Sequence, residues 1–138
     1  MYNWFSFNLR EISMLVKKIS FVRPTLLEEI PDIEDYNLDV FVELEDGYTY
    51  TVVIATAKNI VSLMNKEKTN FSEPGDPFII VRKLTKEIIE EAVKAYAEND
   101  AYWLKFYHFA GEVDTTVFNQ LQAEHTKYLK ELDELDNS

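Results

Sequence analysis

Residues 38–55 read LDVFVELEDGYTYTVVIA, two alternating apolar runs on either side of Asp46 and Gly47. Alternation with a period of two marks a strand with one buried face. An Asp-Gly pair between two such runs is the strongest short-range hairpin signal, because a two-residue type I′ turn needs positive φ at both central positions. The sequence therefore predicts an antiparallel hairpin closed at Asp46-Gly47. A two-residue turn pairs Glu45 with Tyr48, Glu43 with Tyr50, Phe41 with Val52, Val42 with Thr51 and Val40 with Val53. In that register Leu38, Val40, Val42 and Leu44 form the core face, and Phe41, Tyr50, Val52 and Ile54 lie on the other. Both faces then need cover, from helices or from a partner, and partial cover by the chain's own helices is the expectation.

Outward from the hairpin the remaining elements follow the same logic. MLVKKISFV, residues 14–22, reads as a strand ended by Pro24, and Thr25 and Glu28 have capping-box spacing for one helical turn before Pro31. Thr56 is placed to cap a helix through Asn65. The loop NFSEPGDP follows, and then FIIVRK, an unbroken apolar run that predicts a strand inside the sheet, covered on both faces. Thr85 caps an amphipathic helix, with Leu84 and Ile89 as a hydrophobic staple. Asp100 and Gly111 bracket a short helix over 101–110, and Asp114 caps a last helix running towards Leu135. The fold class is α+β: an antiparallel meander of three strands plus a fourth strand, with three to four helices packed mainly on one face. Residues 14–135 form one domain and 136–138 a C-terminal tail.

Residues 1–13 are read as a translated leader or an N-terminal extension. Arg10 and Glu11 can be encoded by AGG-GAG, a purine-rich ribosome-binding sequence two codons before Met14, which suits bacterial initiation. The segment has neither a basic start nor a small-residue cleavage site, so it is a poor signal peptide.

Composition narrows the function classes. With 25 acidic against 14 basic residues the formal charge is −11, which disfavours nucleic acid or an anionic membrane as partner and favours a basic protein. No cysteine is present, which removes disulfides, thiolate catalysis and cysteine-bound metals and makes the cytoplasm the expected location. No run of about 18 apolar residues predicts a membrane span. Three scattered glycines make no phosphate cradle, and His108 and His125 lie 17 residues apart, outside the i,i+4 spacing of a helical zinc pair. Asp32, Glu34, Asp35 and Asp39 lack the glycine and distal glutamate of an EF-hand loop. No catalytic, cofactor-binding or metal-ligating set is therefore assigned.

Three candidate surfaces remain. Residues 31–50 carry seven acidic residues and no basic one, −7 of the −11. Within them Phe41, Glu43, Glu45, Tyr48 and Tyr50 form a candidate protein-binding face, with rings for contact and carboxylates for steering. This is the physics of an inhibitor or immunity-type binder of a basic partner, an analogy from charge alone. The aromatic run DAYWLKFYHFAG, residues 100–111, reads as a buried helix anchoring its neighbours on the sheet, with a strand over 102–109 as the competing local structure. Its alternative is a small-molecule or enzymatic pocket using Tyr102, Trp103, Tyr107 and His108. On the last helix Phe118, Leu121, His125, Tyr128 and Leu132 recur at 3,4 spacing, a seam for intramolecular packing or for a homodimer.

Overall fold

The computed structural model describes residues 13–75 and 77–137, so the reading of residues 1–13 as a leader lies almost wholly outside the described residues. The fold is α+β. Strands β1 (Val16–Ser20), β2 (Asn37–Leu44), β3 (Thr49–Thr56) and β4 (Phe78–Val81) form one sheet in the order β1-β2-β3-β4. The first three strands are an antiparallel meander, and β4 joins β3 in parallel. Five helices are described: α1 (Leu26–Glu29), α2 (Ala57–Glu67), α3 (Lys86–Tyr96), α4 (Glu98–Phe109) and α5 (Thr115–Asp136). A parallel neighbour requires a crossover, and α2 provides it between β3 and β4.

The hairpin forms where expected, in a register one residue away from the expected one. Leu38 pairs with Ile54, Val40 with Val52, Val42 with Tyr50 and Phe41 with Thr51. The loop holds three residues instead of two: Gly47 N–H donates to Leu44 O at 3.0 Å and Leu44 N–H to Tyr48 O at 3.2 Å. Gly47 takes φ +83 while Asp46 does not enter the left-handed region, the signature of a β-turn closed by a glycine bulge. A one-residue slip moves every side chain of β3 to the other face. Tyr50, Val52 and Ile54 thereby join Leu38, Val40, Val42 and Leu44 on one buried face, and Thr51 and Val53 go to the outer one.

Against that face pack Ile89 and Val93 of α3 and Ala101 and Leu104 of α4, all essentially inaccessible, with Ile79 and Val81 of β4 completing the core. Thr56 caps α2 by accepting from Asn59 N–H, Thr85 caps α3 by accepting from Ile88 N–H, and Asp114 caps α5 by accepting from Thr116 N–H. Thr25 does not cap α1: its hydroxyl bonds the Glu29 carboxylate, which also pairs with Arg23 at 2.7 Å. Strand β4 is an edge strand with Ile80 exposed, contrary to the expectation of an interior strand covered on both faces. Its apolar run is explained by Ile79 and Val81 facing the helices and by the half-buried Phe78 beside α2, with which it lines a small cleft.

Two further expectations fail. Helix α4 begins at Glu98, and Asp100 does not cap it. Asn99, Asp100 and Ala101 all sit near φ +57, a left-handed turn that kinks the chain between α3 and the rest of α4. Gly111, at φ +88, does end the segment as expected. Helix α5 is exposed from Thr115 through Asp136, so among the described residues none buries it.

Candidate functional site

The five residues of the proposed acidic face do not share a surface. Phe41 and Glu43, both half-buried, project from the outer face of β2, where Glu43 lies opposite Lys18 and Phe41 opposite Ser20 of β1. Tyr50 is 4% exposed on the core face, carried there by the three-residue loop. Glu45 is tied to the start of the chain's first strand: its Oε1 accepts from Leu15 N–H at 3.1 Å, and its own N–H donates to Leu15 O at 2.9 Å. Tyr48 stands at the hairpin end, its ring 4.7 Å from that of Tyr50, 5.6 Å from that of His108 and 6.2 Å from that of Phe109.

Much of the acidic run 31–50 serves local structure. Asp32 accepts from Glu34 N–H at 2.9 Å, closing an Asx turn. Asp35 accepts from Asn59 Nδ2 at 3.0 Å and Ser62 Oγ at 2.8 Å, fastening the first turn of α2; these bonds hold its carboxyl below the usual range. Asp46 accepts from Tyr48 N–H at 2.9 Å and from the Tyr50 hydroxyl at 2.8 Å, and its acidity rises for the same reason. Burial and the Asp46 charge in turn push the Tyr50 phenol up to about 12.

The aromatic stretch is divided by its helix. Leu104 and Ala101 enter the core, whereas Tyr102 (52% exposed), Trp103 (49%), Phe106 (55%) and Phe109 (39%) do not. The buried-anchor expectation is thus overturned for most of these rings. The core face of the sheet is filled by α3 and by the inner side of α4, and among the described residues no element covers the outer side. The exposed rings touch one another: Tyr102 lies 5.0 Å and Phe106 5.8 Å from Trp103 between ring centroids, with Trp103 6.4 Å from Tyr107. Phe109 and Tyr48 extend the aromatic surface to the hairpin end, beside Asp46.

The four residues of the alternative pocket do not line one cavity either. Tyr107 and His108 border an open groove of about 500 Å³ with Thr51, Val53, Pro77 and Gly111, and neither Tyr102 nor Trp103 reaches it. Tyr107 packs on Tyr96, whose phenol is raised to about 12 by burial and by its hydrogen bond to Tyr107. His108 Nδ1 lies 2.8 Å from Thr51 N and 3.2 Å from Thr51 O. Strand β4 begins its pairing only at Val53, so β3 has no strand neighbour on that side at Thr51. The imidazole occupies that edge position, a structural role that sequence spacing could not reveal.

The dimer-seam residues Phe118, Leu121, Tyr128 and Leu132 are exposed along α5 together with His125, so the intramolecular alternative is not realised among the described residues. Among those residues no three His, Asp or Glu side chains converge as metal ligands, and no helix is long and apolar enough to cross a membrane. Compared with family models, with curated proteins and with solved structures, the chain matches none of them.

Proposed function

We propose that this chain is a non-catalytic, cytoplasmic protein-binding module that docks a basic partner on the outer side of α4 and the adjoining hairpin end. The observation that carries the reading is the cluster Tyr102, Trp103, Phe106 and Phe109, large rings that are each between 39% and 55% exposed. Trp and Tyr dominate the energetic centres of protein interfaces, because they bury much apolar area at little entropic cost and retain a polar tip. Ordinary surfaces do not gather them. Asp46 and Asp100 border the cluster, Asp100 holding Lys105 at 3.3 Å, and the net charge of −11 adds long-range attraction for a positive partner. Inhibition of a basic protein is one role that fits this chemistry.

The test is quantitative capture from lysate with the wild type, with Trp103→Ser/Phe106→Ser and with Glu43→Gln as a control on the outer sheet face. Loss of a captured basic protein in the double variant alone, with unchanged melting, supports the reading. Equal capture by all three would overturn it, and loss in Glu43→Gln alone would move the site to the sheet face.

A further inference from the structure

Helix α5 is 22 residues long and contains no buried residue. Isolated helices in water are marginal unless rich in alanine, and α5 has a single alanine, Ala123. Its last turn has no basic residue, while Asp133, Glu134 and Asp136 crowd the negative end of the helix dipole. An apolar stripe of Phe118, Leu121, Tyr128 and Leu132 nevertheless runs along it, each residue more than two-fifths exposed.

We propose that α5 is a self-association helix that pairs in antiparallel orientation with α5 of a second copy of the chain. The inference is independent of the α4 surface. Residues 118, 121, 125, 128, 132 and 135 are spaced 3,4,3,4,3, so they occupy alternating a and d positions of a heptad seam. Turning one copy end for end sets Leu121 opposite the second copy's Leu132, and Phe118 opposite its Leu135. His125 then meets Tyr128 twice, once on each side of the two-fold axis. These two central layers set an imidazole against a phenol, a pair able to hydrogen-bond within an otherwise apolar seam. A slip of one heptad puts His125 opposite leucine and leaves both polar groups unmatched, so the pair specifies the register. A heterologous partner would have no need of this self-complementarity.

Charge selects the orientation. Residues 115–123 contain no charged side chain, whereas Glu131, Asp133, Glu134 and Asp136 gather at the other end. A parallel pair would bring the two acidic ends together. An antiparallel pair lays each beside the uncharged first half of the other helix, near its positive dipole end.

Sedimentation equilibrium of the full chain from low to high micromolar concentration tests the pairing. The expected result is a reversible dimer whose dissociation constant rises about 100-fold or more in Leu121→Glu/Leu132→Glu, since charge replaces all four buried leucines of two layers. Near-UV circular dichroism of that variant should match that of the wild type diluted below its dissociation constant, because α5 contributes nothing to the core. The absence of cysteine allows a single nitroxide label through Asn119→Cys. Antiparallel pairing separates the two labels by about 15 residues along the axis, about 22 Å, whereas parallel pairing holds them at the helix-to-helix spacing of about 10 Å. A monomer at every concentration, as a helix reserved for another protein would give, overturns the proposal. So does a double variant that remains dimeric, and a short label distance overturns the orientation.

Discussion

Tyr50 decides the register of the hairpin. Its sequence signal lay in the match between runs: Leu38, Val40 and Val42 find large apolar partners at every position only when set against Ile54, Val52 and Tyr50, which requires three loop residues. Asp-Gly alone serves both loop lengths, since the bulged turn needs positive φ only at Gly47, so the dipeptide reveals the hairpin without its register. On the core face the Tyr50 hydroxyl donates to Asp46 at 2.8 Å. Its folded pKa, raised to about 12, means that the neutral phenol is the form the fold accommodates. The associated stability is fully present below the unfolded value of about 10 and is lost as pH rises towards 12. Tyr96, raised likewise to about 12, contributes to the same alkaline loss. Tyr50→Phe should cost about 1 kcal/mol at neutral pH, since Asp46 keeps the Tyr48 amide. It should also shrink, without abolishing, the fall in urea-unfolding free energy between about pH 10 and 12. A fall identical to that of the wild type would show that Tyr50 ionises freely in the fold.

At the scale of elements, caps were more legible than burial. Thr56, Thr85, Asp114 and Gly111 all act as their sequence positions suggest, because capping is local chemistry of one side chain and the backbone beside it. Which side of α4 is covered depends on how much sheet remains after α3 is placed, and no window of sequence contains that. The left-handed turn at Asn99–Ala101 was only half announced: Asn99 and Asp100 are the residue types that enter that region most readily after glycine, but Asp100 is equally suited to a cap and Ala101 is a poor resident of it. Burial, not ring size, ranks the substitutions on α4. Leu104→Ala, at a wholly buried site, should destabilise by about 2–5 kcal/mol, whereas Phe106→Ala, more than half exposed, should cost about 1 kcal/mol or less. Chemical denaturation of the two variants checks this directly. A larger loss for Phe106→Ala would mean that the aromatic cluster is packed away from solvent.

For the whole molecule, two opposing charge effects set the pH of greatest stability. A net charge of −11 on a chain of 138 residues repels itself, and that repulsion eases as pH falls towards the isoelectric point near 4.6. Glu29, Asp35 and Asp46 act in the other direction. Hydrogen bonds hold their folded pKa values below the ordinary 4.5 of Glu29 and 3.8 of the two aspartates. A depressed carboxylate adds stability above its unfolded pKa and loses it as pH falls through the folded one, so these contributions remain intact while the repulsion is being relieved. The melting temperature should therefore rise from pH 7 to about pH 5 and fall below about pH 4. Added salt should raise it at pH 7 more than at pH 5, because screening acts on the repulsion that acid has already removed. Asp35→Asn/Asp46→Asn should melt lower at pH 7, where the anchoring of α2 and the hairpin loop is weakened, and should lose less below pH 4. Calorimetry of both proteins across this range separates the two effects. An acid limb of unchanged depth in the double variant would assign the acid loss to other carboxylates.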